Sequence, residues 1–228
     1  FPITTTVSIK DKEMVRFVDL SAGDENDLAE LKTIFLTCFP KYAFFVPEID
    51  EAFTEPERSG ERIVHQVIAY VEGAPAGMAI VHTNLQRGVN LIHFIAVLEE
   101  FRGPVPGESS LARRIIGFAG QQAAQASLRH GVDTHHGFVC ESYAESVEIW
   151  ERLGYTTLCS DYAEPNYGRD WALHGDPELL SRILMGQLSA ASASSTADLR
   201  QAGIEAFLLD HYHLPRNHKK VTELLGPA

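Results

Sequence analysis

The chain has 228 residues, of which 45% are hydrophobic and 22% charged, enough to fill one core with an appendage. Its formal net charge of −12 argues against nucleic acid or an anionic membrane as a partner, because phosphate surfaces bind basic faces. No apolar run approaches the roughly 20 residues that span a bilayer, and the first residues show no signal peptide. Three cysteines without a Cys-x-x-Cys spacing predict reduced thiols in a cytoplasmic protein.

Apolar residues that alternate predict strands, and apolar residues three and four apart predict helices. Asp24 supplies a cap for the first long helix, and Gly131 ends the longest one. The segment 90–97 is apolar nearly throughout, which is typical of a central strand. In chain order, the sequence predicts a strand at 13–20, helices at 25–39 and 47–53, strands at 66–71, 76–83 and 90–97, a helix at 108–130, a strand at 137–140, a helix at 143–153, strands at 156–162 and 170–174, and helices at 177–188 and 196–212.

The stretch from Asn90 to Tyr155 carries the clearest functional pattern. An apolar strand leads into the loop Arg102-Gly103-Pro104-Val105-Pro106-Gly107 and then into a long helix. The start of a helix presents backbone N–H groups without intrahelical partners, which suits a phosphate or pyrophosphate. A second strand and helix follow, ending at Leu153-Gly154-Tyr155.

This order resembles the GNAT superfamily of acyl-CoA-dependent N-acyltransferases, whose arginine–glycine loop after the fourth strand holds the pyrophosphate of coenzyme A. The resemblance implies an α/β fold, a mixed twisted sheet flanked by helices, over residues 1–176. A helical C-terminal extension is expected over 177–228. The loop departs from the family pattern because Val105 replaces a glycine and prolines flank it, so fewer N–H donors are expected.

Two sets of acyl-CoA-binding residues follow from the resemblance. Main-chain groups of the strand are expected to bind the pantetheine arm, and the Val97 N–H is expected to polarise the thioester carbonyl. The loop and the helix start are expected to bind the phosphates, with the Glu108 carboxylate pointing into solvent. The strand positions are Phe94, Ala96, Val97 and Leu98, and the phosphate positions are Arg102, Gly103, Val105, Gly107, Glu108 and Ser109.

His93 is the candidate general base. It lies in the apolar strand four residues before Val97, and imidazole has a reference pKa of about 6.5, suited to taking a proton from an amine. A buried core histidine is the alternative, and the two interpretations are equally supported. His82, on the neighbouring strand, is a weaker candidate for the same role.

Tyr143 is the candidate general acid for the thiolate of coenzyme A. In the family, that acid is often a tyrosine on the helix after the fifth strand, but the matching position here holds Trp150, for which packing is the expected role. Tyr143 precedes this position on the same predicted helix. Cys140, Ser142 and bulk water remain alternatives.

The implied activity is transfer of an acetyl or other short acyl group from acyl-CoA to an amine of a small molecule or peptide. The alternative is a non-catalytic acyl-CoA-binding sensor or scaffold on the same fold, and O-acyl transfer is a third reading. No metal is expected, because adjacent His135 and His136 would point to opposite faces of a strand. The apolar faces of the extension are expected to pack on the domain or on a second copy, which would make a homodimer.

Overall fold

The computed structural model describes residues 5–7, 15–58, 61–103, 109–132, 135–166, 178–190 and 193–227. The chain divides into two compact units. The first comprises Phe1–Thr83 and His93–Arg129, and the second comprises Asn84–Ile92 and His130–Ala228. The boundary expected at residue 176 lies outside the described residues and stays a prediction. Within the described residues, no helix has the length and hydropathy needed to cross a membrane.

The first unit contains strands of a sheet and three α-helices. The strands are β1 (Thr5–Val7), β2 (Val15–Asp19), β3 (Glu57–Arg58), β4 (Arg62–Val71), β5 (Ala74–Asn84) and β6 (Val89–Val97), and the helices are α1 (Glu25–Cys38), α2 (Val46–Thr54) and α3 (Leu111–Arg129). The strands follow the order β1-β2-β4-β5-β6, and β3 pairs with β4. Strands β2 and β4 pair antiparallel from Val15↔Val71 to Asp19↔Val67. Of β6, residues 93–97 belong to this unit.

Helix α1 begins where the sequence predicts it. The Asp24 carboxylate accepts hydrogen bonds from the N–H groups of Asn26 and Asp27, and the Asp27 side chain bonds back to the Asp24 N–H. This capping box satisfies donors that have no intrahelical partner. The helix then buries Leu31, Ile34 and Phe35 in the core of the first unit.

Helix α3 packs its apolar face on the strands that precede it. Phe118 stacks on Phe17 of β2, with ring centroids 5.4 Å apart, and Ile115 is fully buried. Gly77 of β5 permits this approach, because a Cβ atom there would lie 2.8 Å from the Ile115 Cδ1 atom. Leu128, near the end of this helix, is 76% exposed.

The second unit contains a mixed sheet. Its elements are β7 (Gly137–Ser142), α4 (Val147–Leu153), β8 (Thr156–Cys159), β9 (Ala163–Pro165), β10 (Leu179–Ser181), β11 (Ile183–Leu188), α5 (Thr196–Glu205), a π-helical turn (Ala206–His211) and α6 (Lys219–Leu225). The strands of the sheet follow the order β6-β7-β11-β8, in which β6 and β7 are parallel while β11 pairs antiparallel with β7 and with β8. Strands β9 and β10 form a separate antiparallel pair. The fold class is therefore α/β, as expected.

The predicted helix at 177–188 is wrong. Residues Leu179–Ser181 and Ile183–Leu188 form strands, and the second of these lies between β7 and β8. Gly186 fits this position because a Cβ atom there would lie 2.4 Å from the Leu158 Cδ1 atom. The pairing partners are distant in sequence, so local periodicity does not reveal them. The predicted strand at 170–174 lies outside the described residues.

The C-terminal helices cover one face of the sheet in the second unit. Leu199 of α5 and Phe207 of the π-helical turn are buried with Val89 and Val139 of the strands. Arg87 adds ion pairs, with Nη1 2.6 Å from Glu205 Oε2 and Nε 3.1 Å from Asp210 Oδ2. The predicted helix at 196–212 is confirmed as α5 and the π-helical turn, whereas α6 was not predicted.

Candidate active site

In the first unit, the end of β6 is anchored by an aromatic cluster. The Phe94 ring lies 4.9 Å from the Phe35 ring and 5.1 Å from each of the rings of Phe39 and Phe45, between centroids. Edge and tilted contacts of this kind stabilise beyond what the buried area of the rings contributes. The Phe94 side chain therefore fixes the strand, and only its main chain is suited to a ligand.

Main-chain groups at the end of β6 are partly used by the protein itself. The Leu98 N–H donates to the Ala76 carbonyl at 2.9 Å, and the Leu98 carbonyl accepts from the Phe101 N–H at 3.0 Å. Ala96 is buried against Gly77, where a Cβ atom would lie 2.7 Å from the Ala96 carbonyl oxygen. The Leu98 N–H is thus already engaged, which leaves Val97 as the position where a strand donor is expected for the thioester.

The Arg102 side chain is hydrogen-bonded to β6. Its Nε donates to the Val97 carbonyl oxygen at 2.7 Å, and the residue is exposed. Around the neighbouring Gly103, none of the residues that the structure describes lies within 4 Å of a Cβ position. The predicted positions Val105, Gly107 and Glu108 lie outside the described residues.

The described start of α3 carries an exposed arginine. Ser110 caps the helix, with its Oγ accepting from the Arg113 N–H at 3.4 Å, and Ser109 and Arg113 are exposed. No acidic residue lies in the first turn. Helix starts usually favour acidic side chains, so arginines at this end suit a bound anion.

The His93 ring of β6 packs against the His82 ring of β5. Their ring centroids are 3.9 Å apart. Burial and the positive charge of Arg62 lower the pKa of His93 to about 3. The imidazole is therefore neutral at pH 7, which is the form that accepts a proton, although its basicity is low.

A buried polar chain that the sequence did not reveal crosses three strands of the first unit. His65 Nδ1 lies 3.2 Å from Asp19 Oδ2, and His65 Nε2 lies 3.1 Å from Thr83 Oγ1. Burial raises the pKa of Asp19, but its bonding to His65 outweighs this and the pKa lies below the usual value. All three residues are almost completely buried, which indicates a structural role.

In the second unit, Tyr143 follows the carboxyl end of β7. The residue is 42% exposed, and the Arg182 guanidinium carbon lies 4.0 Å from its ring centroid. The alternative acids Cys140 and Ser142 are each 1% exposed, and burial raises the pKa of the Cys140 thiol well above its usual value. Of these candidates, Tyr143 is the one that reaches the surface.

Trp150 packs as expected. Its ring lies edge-on to the buried Tyr155 ring, with centroids 4.9 Å apart.

His135 and His136, which are adjacent in the sequence, bond to different partners. His135 Nε2 lies 2.5 Å from Asn90 Nδ2, and His136 Nδ1 lies 2.7 Å from Ser194 Oγ.

Glu141, two residues before Tyr143, has a strongly shifted pKa. The hydroxyls of Tyr162 and Tyr212 donate to its two oxygens, each at 2.6 Å. Burial and the nearby charge of Glu164 raise the pKa of Glu141 to about 8. The alternation of side chains along a strand could have indicated this carboxyl group, because Glu141 lies two residues after the buried Val139 and therefore on the same face of β7.

Comparison with solved structures identifies the fold. A protein from Desulfovibrio desulfuricans assigned to the GNAT acetyltransferases matches over 76% of this chain and 98% of its own, with 17% identity and a TM-score of 0.51. An aminoglycoside 6′-N-acetyltransferase solved with coenzyme A matches over 75% of this chain and 96% of its own, with 13% identity and a TM-score of 0.50. No protein-family model and no curated protein matches the sequence. The chain therefore has the fold of the GNAT acetyltransferases, at 13–17% sequence identity to these two structures.

Proposed function

We propose that the protein transfers a short acyl group, most simply acetyl, from acyl-CoA to an amine. The observation that carries the proposal is that, in the first unit, exposed Arg102 follows the end of β6 and exposed Arg113 lies in the first turn of α3, in a chain of net charge −12. A pyrophosphate and a helix N-terminus attract each other, and arginine adds donors that match phosphate oxygens.

The roles of the acyl-CoA-binding residues are proposed from this arrangement. The phosphates bind at Arg102, Gly103, Val105, Gly107, Glu108 and Ser109. The pantetheine arm lies along the main chain of Phe94, Ala96, Val97 and Leu98. The Val97 N–H stabilises the negative charge that develops on the thioester oxygen, which is the type of interaction that lowers the barrier most.

The proposed chemistry uses two proton transfers. The ammonium form of the acceptor first loses one proton to solvent. The neutral amine nitrogen then attacks the thioester carbonyl carbon, and the C–S bond breaks. His93 accepts the proton that the amine loses and passes it to solvent, because its lowered pKa of about 3 does not retain it at neutral pH. Tyr143 gives a proton to the departing sulfur and regains one from solvent.

The acceptor is proposed to be a small cationic amine or a peptide amine. The net charge of −12 favours cations near the protein. One structural neighbour is named as an N-acetyltransferase of aminoglycosides, which fits an amine acceptor without fixing which amine this chain uses.

A non-catalytic acyl-CoA-binding protein is the second candidate. Trp150 at the position of the family's tyrosine and the low basicity of His93 favour it. Titration calorimetry with coenzyme A and acetyl-CoA tests both candidates, since each requires binding. Release of free thiol from acetyl-CoA in the presence of a panel of amines then separates them, because only the transferase produces thiol at a rate that depends on the amine.

A further inference from the structure

The Tyr143 ring, which follows the end of β7, contacts the guanidinium of Arg182. The Arg182 guanidinium lies over its ring, 4.0 Å from the centroid, and Arg182 Nε lies 2.6 Å from Glu164 Oε2. The Arg182 and Glu164 side chains are only 10% and 17% exposed, respectively. A planar guanidinium that binds a carboxylate at one edge and an aromatic face on its surface has little freedom to move.

Glu164 is itself held in place. The Tyr212 hydroxyl lies 3.5 Å from Glu164 Oε1 and donates to Glu141 at 2.6 Å, and Tyr162 donates to the other oxygen of Glu141. These groups come from separate segments of the second unit. A continuous polar network therefore leads from the interior to the exposed ring of Tyr143.

We infer that Arg182 is a positioning residue, which holds the Tyr143 ring in the orientation from which its hydroxyl protonates the departing thiolate. The inference rests on the proposed function and adds to it the residue that orients Tyr143 for proton donation. Glu164 supports the same task by fixing the guanidinium. Without Arg182, the partly exposed ring of Tyr143 would sample other rotamers, and a misplaced acid loses much of its effect.

The test is a double-mutant cycle on turnover. Arg182→Gln is expected to lower kcat by about tenfold with little change in the KM for acetyl-CoA, and Arg182→Lys is expected to recover part of the loss because it keeps a cation over the ring. If Arg182 acts through Tyr143, adding Arg182→Gln to Tyr143→Phe lowers kcat no further. Arg152→Gln, an exposed arginine on α4, is the control and is expected to leave kcat unchanged.

A readout without catalysis separates this inference from the proposed function. This readout is fluorine NMR of protein labelled with 3-fluorotyrosine. The chain has 7 tyrosines, and the NMR line of Tyr143 is identified as the one that disappears in Tyr143→Phe. Arg182→Gln is expected to shift that fluorine line, and Arg152→Gln is expected to leave it in place. Absence of turnover in the wild type, with the line shifted as expected, would refute the proposed function but not the contact between the two residues.

Two results overturn the inference itself. One is an unshifted Tyr143 line in Arg182→Gln. The other is a double mutant whose loss of kcat equals the product of the two single losses, because independent effects multiply. Melting temperatures of all variants are measured with the same preparations, so that a loss of folded protein is not counted as a loss of kcat.

Discussion

Arg102 and Val97 are joined by a hydrogen bond from the arginine Nε to the valine carbonyl oxygen, at 2.7 Å. This bond spans the end of β6 and the loop that follows it. It engages the inner nitrogen of the guanidinium, so this bond to the strand does not use the two terminal nitrogens. A planar group held in this way is preorganised for the oxygens of a phosphate.

Replacing Arg102 tests the phosphate site. Arg102→Gln is expected to weaken binding of coenzyme A at least tenfold, about 1.4 kcal/mol, because the charge and the fork of donors are both lost. Titration calorimetry measures the effect. The matched control, Arg152→Gln, removes an exposed arginine from α4 and should bind coenzyme A as the wild type does. Equal affinities in the two variants would remove Arg102 from the site.

Replacing His93 distinguishes a base from a core histidine. As the base, His93→Ala is expected to lower turnover by about 10² or more with little loss of acyl-CoA affinity. A core histidine predicts instead a lower melting temperature and normal turnover per folded molecule. The exposed His130→Ala is the control. Because burial lowers the pKa of His93 to about 3, protonation of this group should not reduce turnover between pH 7 and 5.

Glu141 predicts a pH dependence of stability. Its pKa is raised by burial from 4.5 to about 8, so the folded state binds more protons than the unfolded state between these values. Its contribution to the free energy of unfolding therefore falls as the pH rises through this window, by up to about 1.4 kcal/mol per pH unit. Glu141→Gln should flatten the pH dependence of the melting temperature. The exposed Glu145→Gln, which removes the same charge, should leave it unchanged.

Gly186 tests the strand that replaces the predicted helix. In β11, a Cβ atom at this position would lie 2.4 Å from Leu158 Cδ1, so Gly186→Ala is expected to cost about 1–3 kcal/mol. In a helix, the same change would stabilise by roughly 0.5–1 kcal/mol. Gly117→Ala provides the comparison, because Gly117 lies in α3 with nothing within 4 Å of its Cβ position. Chemical denaturation should show opposite signs for the two variants.

Elements set by neighbouring residues were predictable from the sequence. The Asp24 cap placed α1, and the apolar run before Arg102 placed β6. Strand β11 was not predictable, because its identity depends on pairing with β7 and β8 rather than on its own periodicity. The same applies to the site: the residues of the β6–α3 loop are local in sequence, whereas the contact between Tyr143 and Arg182 joins segments that are far apart in the chain.

Turnover with identification of the product tests the central claim most directly. The protein is incubated with acetyl-CoA and a panel of amines, free thiol is followed over time, and each amine is weighed by mass spectrometry. We expect thiol release to depend on one class of amine, and that amine to gain the mass of one acetyl group in equal amount. Tight binding of acetyl-CoA with no acetylated amine across the panel, and no thiol above the rate without protein, would contradict the transferase and leave the acyl-CoA-binding protein.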